Sequence, residues 1–417
     1  MQSVQHKSYL MTLIVSAAVV FVAVAGFNFF MDPWGLFGVP RISGINERKP
    51  EAGDYVRLSK PYQVTRMSPK LLVLGNSRAE LGLNPNTFCS GKFQGQSFVL
   101  AVPGSSVFLQ YRFMQHAIAN EKPEMVLMAL DATDFFTLRD ADAVPDSEPA
   151  AVEWDRRLLV RRDGRTNKKR WTAILKDYAD GLMSLAATVD SIRTLVKQNA
   201  RGQQNRTEAG FHDADNYYRQ IVTAEGQGVL FQQKMNELRS RYSDRGWQLQ
   251  SRNGDVKNAW ESLDKVIELV LREDIELVFI INPLHARYLE LLHETGLWRL
   301  VEEWRRQLVT TLSQRGAGIR LIDFTGYDAH SMEEPAPESG RRVIPEWFWE
   351  PSHYTQALGN LMLSRALPMN CQPMPGGAVE YGVELTAENL DAVNQRIRTE
   401  RRTYLGPAQS SSAALRH

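Results

Sequence analysis

The sequence Leu71-Leu72-Val73-Leu74-Gly75-Asn76-Ser77-Arg78-Ala79-Glu80-Leu81-Gly82 passes from four branched apolar residues directly into Gly, Asn and Ser. This pattern predicts a buried strand that runs into a tight turn. The turn places Ser77 at the carboxyl end of the strand, on the edge where open α/β sheets bind their ligands. Ser77 is therefore a candidate nucleophile. The alternative is that its hydroxyl caps the helix that follows.

Further short apolar runs recur along the chain, each closed by turn-forming residues and followed by a helical pattern. They occupy residues 97–102, 125–130, 275–281 and 319–324. Strands that alternate with helices at this spacing indicate βαβ units, so we predict an α/β fold with a mainly parallel sheet. The runs fall into two segments, residues 70–139 and 255–367, which we expect to form one domain.

The residues between these segments, 140–254, are polar and rich in helical patterns. We interpret them as a helical insertion that forms a cap or lid over the strand ends. The insertion carries a basic cluster between two tryptophans, which comprises Arg156, Arg157, Arg161, Arg162, Arg165, Lys168, Lys169 and Arg170. This cluster is either a solvated helix face or a surface for an anionic glycan or lipid head groups.

Residues 8–31 contain no charged side chain and are long enough for a membrane-spanning helix, which needs roughly 20 apolar residues. We predict an uncleaved transmembrane anchor with Trp34 at the membrane interface. The alternative is a cleaved signal peptide, because Ala23-Val24-Ala25 fits the small-x-small cleavage pattern. Both interpretations send the rest of the chain across the membrane.

Two more segments flank the predicted domain. Residues 32–69 are rich in Pro, Gly and charge, and their prolines are spaced so that no long helix fits. This predicts a tether, either free or partly packed on the domain. Residues 368–417 are predicted to form a carboxyl-terminal tail, with one amphipathic helix near residues 387–404 and a disordered polar end.

Composition argues against several classes of function. The formal net charge is +1, so there is no overall basic field to indicate a nucleic-acid partner. Cys89 and Cys371 are the only cysteines, and no Cys/His cluster has zinc-ligand spacing, which argues against a structural metal. The motifs of the sequence imply no metal and no organic cofactor. In an oxidising compartment the two cysteines are able to pair.

His353 is a candidate general base, because serine hydrolysis needs a base, an acid that orients it, and donors for the oxyanion. It lies in a loop before the last helix, which in a doubly wound sheet returns to the edge that holds Ser77. Glu350 is placed to hydrogen-bond one imidazole nitrogen and leave the other facing Ser77. Alone, Glu350-Pro351-Ser352-His353 also fits the start of a helix with an incidental histidine.

Together these features resemble the Ser-Gly-Asn-His (SGNH, or GDSL-like) hydrolase family over residues 70–134 and 258–367. Gly75-Asn76-Ser77 is similar to the family's Gly-Asp-Ser nucleophile block, and Gly104 falls where its second-block glycine lies. Glu350-x-x-His353 is similar to its terminal Asp-x-x-His. The resemblance implies a three-layer α/β/α sandwich with a flavodoxin-like sheet. It also implies a Ser-His-Glu triad, with the backbone amides of Ser77 and Gly104 as oxyanion donors.

Three positions depart from the pattern of that family. Asn76 and Glu350 each replace an aspartate, and the second change keeps a carboxylate. Thr133 stands at or near the position of the family's oxyanion asparagine, where its hydroxyl is able to donate one hydrogen bond. Asn282, at the end of the fourth strand, is either a substitute for that asparagine or a turn residue before Pro283.

His285 and Arg287 follow immediately and are candidates for contact with an anionic substrate, although His285 also suits a packing role at a helix start. The anchor, the translocated domain and the large insertion resemble one subset of the family, the membrane-anchored proteins of polysaccharide O-acetylation and of D-alanyl transfer to teichoic acids. That resemblance implies a single-pass protein of the bacterial inner membrane with its domain in the periplasm. It also implies that the protein acts on acylated cell-envelope polysaccharide beside a membrane-bound O-acyltransferase.

Two other hypotheses stand beside this one. The first is a catalytically inactive scaffold of the same fold that binds polysaccharide or the acyltransferase. Thr133 and the basic insertion favour the scaffold, whereas the retained pair of Ser77 and His353 opposes it. The second is an unrelated membrane-anchored α/β protein whose motifs are coincidental, because one fold hosts many functions.

Overall fold

The structure is a computed structural model that describes residues 2–86, 91–139, 154–243, 246–251, 258–315, 318–335, 343–367 and 381–413. It confirms the predicted α/β class and the mostly parallel central sheet. The predicted pairing of Cys89 with Cys371 falls on residues outside these ranges, as do the expected boundaries at residues 140 and 254.

The central sheet has six strands. They are β1 (Leu71–Leu74), β2 (Ser97–Val99), β3 (Met125–Leu130), β8 (Glu276–Ile281), β9 (Arg320–Asp323) and β12 (Val383–Glu384), in the spatial order β12-β9-β8-β3-β1-β2. Five of them are parallel, and β12 pairs antiparallel with β9 at one edge. The short strands outside the sheet are β4 (Phe136–Leu138), β5 (Asn205–Arg206), β6 (His212–Asp213), β7 (Trp247–Leu249), β10 (Phe348–Glu350) and β11 (His353–Tyr354).

The described residues form thirteen α-helices. They are α1 (Gln2–Met31), α2 (Val56–Met67), α3 (Ser77–Gly82), α4 (Val107–Asn120), α5 (Arg170–Met183), α6 (Leu185–Val196), α7 (Asp215–Glu225), α8 (Gln227–Tyr242), α9 (Ala259–Glu273), α10 (Ala286–Glu294), α11 (Trp298–Arg315), α12 (Gln356–Ala366) and α13 (Leu390–Ala413). Helix α13 contains a kink at Gly406. Short 3₁₀ helices span Pro50–Tyr55, Gly91–Phe93 and Ala132–Phe135.

Strand β1 is buried on both faces, as its unbroken apolar run predicts. Leu72 and Leu74 pack into one hydrophobic core with side chains of α4, α9, α10 and α11. Leu71 and Val73 point the other way and pack into a second core with side chains of α3 and α12. The sheet edge that carries the end of β1 is therefore held between helices.

The prediction that no long helix fits within residues 32–69 is wrong, because residues 56–67 form a helix that packs on the domain. Helix α2 continues through Pro61 and packs against α4, where His116 Nε2 lies 2.8 Å from the Pro61 carbonyl oxygen. A proline inside a helix removes one backbone hydrogen bond. Seven buried residues of α2 provide the packing that offsets this loss.

Where residues 368–417 are described, the predicted amphipathic helix is present as α13, but the segment packs on the domain and is not a free tail. Strand β12 adds to the central sheet, with Glu384 opposite Ile322. Helix α13 buries Ile397 in the first core, and Arg401 Nε lies 2.9 Å from Glu290. The amphipathic face recognised in the sequence is therefore covered by the domain, since a stripe of apolar residues is stabilised by burial.

The insertion forms only part of the lid that we expected. Strands β4 and β7 pair at its base, with Phe136 opposite Leu249. Helices α5 and α6 pack against the end of α1, and no described contact joins them to Ser77 or His353. Strands β5 and β6 and helices α7 and α8 lie instead beside α3 and β10.

Helix α1 is long and apolar enough to span a membrane over His6–Met31, and most of its apolar side chains before Val24 are exposed, whereas Met31 at its end is buried. Trp34, which we expected at the membrane interface, is buried against the domain. Its ring stacks on Tyr55 with centroids 4.0 Å apart, and its indole nitrogen donates to Asp190 at 2.9 Å. The end of α1 is therefore fastened to the domain by buried polar contacts.

Candidate active site

Ser77 is the first residue of α3, directly after the turn that closes β1. Gly75 has no room for a side chain, because an added Cβ would lie 2.6 Å from the Ala79 Cβ and 3.1 Å from the Ala129 Cβ. Asn76 caps the helix, and its side-chain oxygen accepts from the Arg78 amide at 3.0 Å. The helix cap is thus Asn76, which leaves the half-buried Ser77 hydroxyl for other contacts.

His353 and Glu350 face each other across the short antiparallel pair of β10 and β11. The Ser352 amide donates to a Glu350 carboxylate oxygen at 2.8 Å, which fixes the carboxylate within the turn. Thr355 then caps α12, so the strand pair, the turn and the helix form one continuous support for the imidazole.

Ser77, His353 and Glu350 form one hydrogen-bonded chain. Ser77 Oγ lies 2.9 Å from His353 Nε2, and His353 Nδ1 is hydrogen-bonded to Glu350. The Glu350 side chain is 4% exposed and that of His353 15% exposed, so the base retains access to solvent. Burial alone would raise the pKa of Glu350, but the adjacent imidazole and hydrogen bonds hold it below its usual value. An ionised carboxylate there orients the ring and stabilises an imidazolium.

Arg78 joins the three segments that build the site. Its Nε donates to the Ser352 carbonyl oxygen at 2.9 Å, and a terminal nitrogen donates to Ser352 Oγ at 3.1 Å. The other terminal nitrogen lies 2.9 Å from Asp131 at the end of β3. Burial alone would lower the pKa of Arg78, but Asp131 raises it above its ordinary value, so the guanidinium stays charged. Sequence reasoning missed this residue, whose only signal was a basic side chain directly after Ser77.

Asp131 is the centre of the polar network beneath Ser77. It accepts from the Asn76 side chain at 2.6 Å and from the Asn282 side chain at 3.0 Å, in addition to pairing with Arg78. Burial, followed by the charge of Asp131, raises the pKa of Asp134 to about 8. The protonated form of Asp134 is therefore favoured, which limits the negative charge that is buried beside Asp131.

The proposed role of Asn282 in the oxyanion hole conflicts with this network. Its amide nitrogen donates to Asp131, and its side-chain oxygen accepts from the Tyr354 hydroxyl at 3.0 Å. Asn282 is also buried, so its amide is used within the protein. Thr133 lies half-buried in the 3₁₀ helix after β3, and no described hydrogen bond links it to Ser77.

Gly104 lies in the exposed turn after β2, where its φ of +64° favours glycine. This turn is fastened to the one that holds Ser77, because Ser105 Oγ donates to the Gly75 carbonyl oxygen at 2.9 Å and the Val102 amide donates to it at 3.0 Å. Among the described hydrogen bonds, none uses the amide of Ser77 or Gly104 as donor. The described hydrogen bonds therefore leave both amides as candidate donors to an oxyanion.

The two predicted substrate contacts, His285 and Arg287, lie apart from the hydrogen-bonded chain. His285 is 1% exposed, accepts from the Arg287 amide and lies 2.8 Å from the Glu333 carbonyl oxygen. Burial lowers its pKa to about 4, so it is a neutral packing residue and not an anion contact. Arg287 pairs with Glu334 at 3.0 Å, and no described contact connects it to Ser77.

A second buried charge cluster supports α3 from below and was not recognised in the sequence. Glu80 lies 2.9 Å from Lys60 Nζ and 3.1 Å from Arg206 Nε, and all three side chains are buried. Lys60 belongs to α2 and Arg206 to β5, so the cluster ties the supposed tether and the insertion to the serine's helix. Near β10, Tyr218 stacks on Trp349 with centroids 5.1 Å apart.

Among the described residues, no group of three or more His, Cys, Asp or Glu side chains is arranged to hold a metal ion. Comparison of the chain with protein-family models gave no match. Comparison with curated protein sequences gave no significant match either.

Proposed function

We propose that this protein is a serine esterase or O-acyltransferase that acts on acyl esters through a triad of Ser77, His353 and Glu350. One observation carries the proposal, namely the hydrogen-bonded chain in which Ser77 Oγ lies 2.9 Å from His353 Nε2 and Glu350 holds the other ring nitrogen. A hydroxyl, a base within hydrogen-bond reach and a carboxylate that orients the base are the parts that acyl transfer needs.

In the proposed reaction, His353 Nε2 takes the proton of Ser77 as its oxygen attacks the carbonyl carbon of the ester. The amides of Ser77 and Gly104 donate to the oxyanion, and Glu350 stabilises the imidazolium. His353 then protonates the leaving alcohol, which yields the acyl-enzyme. Water or a sugar hydroxyl attacks this intermediate, so the same site serves hydrolysis or transfer.

The proposal extends to the fold family and the location. We place the chain among SGNH-like hydrolases with a three-layer α/β/α sandwich and a flavodoxin-like sheet, on the sequence resemblance over residues 70–134 and 258–367. In this proposal α1 spans the bacterial inner membrane and the domain lies in the periplasm. Cell-envelope polysaccharide is the substrate class, with a membrane-bound O-acyltransferase as partner.

A second candidate function is a catalytically inactive scaffold of the same fold that binds polysaccharide or the acyltransferase. The observation that favours it is the use of the Asn282 amide within the Asp131 network. Without the Asn282 amide, an oxyanion would be stabilised by backbone amides and by Thr133, the remaining side chain that the sequence suggested for this role.

Exposure of the purified full chain to a fluorophosphonate probe distinguishes the active enzyme from the inactive scaffold. We expect labelling of wild type at Ser77, none of Ser77→Ala, and labelling of His353→Ala slowed by about 10²–10⁴-fold. Ser106→Asn is the matched control, because Ser106 caps α4 in the turn next to Gly104 and asparagine keeps the cap. If wild type is neither labelled nor hydrolyses aryl acetates, or if another serine is labelled, the triad proposal fails.

A further inference from the structure

Helix α6 is amphipathic, but its apolar face points outward and its polar face points towards the rest of the protein. Four apolar side chains share its outward stripe at spacings of four, three and four residues, and their exposed fractions are large: Leu185 80%, Val189 37%, Ile192 50% and Val196 73%. The opposite face buries Asp190, Ser191 and Thr194 against the rest of the protein. A surface helix of a water-soluble domain shows the reverse pattern.

Helix α5 repeats this arrangement. Trp171 and Leu175, one turn apart, are 61% and 59% exposed. On its buried side Asp177 accepts from the Tyr62 hydroxyl at 2.6 Å and pairs with Arg157 at 2.6 Å. Each helix thus buries one acidic residue, Asp177 in α5 and Asp190 in α6, and turns large apolar side chains outward. Together these side chains form a larger apolar surface than scattered exposed residues would give.

The two helices adjoin the end of the apolar helix α1. The Asn28 side chain donates to the Leu182 carbonyl oxygen and to Thr188 Oγ1, both at 2.9 Å. The 26 residues of α1 over His6–Met31 span about 39 Å, which exceeds the roughly 30 Å hydrocarbon core of a bilayer. The contacts at Asn28 therefore lie where α1 leaves the hydrocarbon.

We infer that α5 and α6 lie in the membrane interface beside α1, with their apolar stripes inserted at the boundary of head groups and acyl chains. The occupant is the bilayer itself, because the stripes continue the exposed apolar surface of α1 and a tryptophan stands among them. The exposed Lys168 and Lys169 lie three and two residues before Trp171, which favours anionic phospholipids. Arg193 lies beside the α6 stripe and is exposed, although it also pairs with Glu51 and Asp190.

The test uses the full chain in vesicles of phosphatidylcholine and phosphatidylglycerol, with Cys89 and Cys371 replaced by serine. Single cysteines are introduced as Leu175→Cys and Ile192→Cys and labelled with an environment-sensitive fluorophore. Leu271→Cys on α9 is the matched control, because Leu271 is 49% exposed and Ile192 50%. We expect spin-labelled phospholipid to quench the fluorescence of the first two labels and to leave that of the control unchanged.

Two outcomes would overturn the inference. In the first, the labels at Leu175 and Ile192 are quenched no more than the control. In the second, the labels at Leu175 and Ile192 lose their shielding from water when the protein is diluted in a large excess of lipid. Because dilution separates copies of the chain, this result would assign the stripes to contact with a second copy. A measured unfolding midpoint equal to the control's shows that each labelled variant is folded.

Discussion

Arg78→Met is the substitution that tests most directly how the site is assembled. It removes the 2.9 Å ion pair with Asp131 and both hydrogen bonds to Ser352, the residue before His353. The side chains of Arg78 and Asp131 are 10% and 5% exposed, so the carboxylate would be left buried and unpaired. Breaking one partner from such a pair costs about 3–5 kcal/mol of unfolding free energy.

The same substitution should also slow the chemistry. From the turn of Ser77, Arg78 binds both the end of β3 and the loop of His353, so its loss loosens the position of the imidazole relative to the serine. A misplacement of about 1 Å at a reacting group costs about a hundredfold in rate. We expect Arg78→Lys to fall between wild type and Arg78→Met, because an ammonium keeps the charge opposite Asp131 but lacks the planar fork that reaches Ser352.

Arg305→Met is the matched control for stability. Arg305 and Asp323 form another ion pair at 2.9 Å, with side chains 0% and 1% exposed. Strand β9 lies three positions from β1 in the sheet, about 14 Å at the usual spacing of strands. This variant should lose comparable stability and keep the fluorophosphonate reactivity of Ser77.

The assay measures the labelling rate of the folded full chain at a temperature where both variants are folded, together with chemical denaturation of each. Equal labelling rates for Arg78→Met and Arg305→Met would refute the reasoning, because they would show that Arg78 contributes only stability.

Three further predictions concern the surroundings of the site. Since the pKa of Asp134 is raised to about 8, from 3.8 in the unfolded chain, the folded state binds more protons between these values and stability falls as pH rises. At pH 8, Asp134→Asn should therefore raise the denaturation midpoint and Asp131→Asn lower it; the same direction for both would contradict the network. Burial lowers the pKa of His116 from 6.5 in the unfolded chain to about 4. The contribution of His116 to the unfolding free energy is therefore fully present above pH 6.5 and falls by about 3 kcal/mol on acidification to pH 4. His116→Gln should make the denaturation midpoint depend less on pH in that window. Gly75→Ala should lower the unfolding free energy by about 1–3 kcal/mol and slow labelling, because the added Cβ would lie 2.6 Å from the Ala79 Cβ. Gly44→Ala is the control, because Gly44 also has a positive φ but open space around it, and it should leave labelling unchanged. Equal effects of the two substitutions on labelling would contradict the steric argument.

The sequence alone determined the elements whose physical cause is local. Four branched apolar residues followed by glycine specify β1 and its turn, because burial and the lack of a Cβ act within a few residues. The same holds for α1, because residues 8–31 form a long segment without a charged side chain. It also singled out Ser77, Glu350 and His353, since their chemistry depends on residue type and on the ends of predicted strands.

Only the tertiary structure decided how distant segments meet. Ser77 and His353 are 276 residues apart in the chain, and their hydrogen bond depends on the order of the strands and the return of the last loop. The position of β12 in the sheet, the helix through Pro61 and the use of the Asn282 amide by Asp131 likewise follow from long-range packing. Periodicity shows that a helix such as α6 has two faces, but which of them is buried depends on the partners that pack against it.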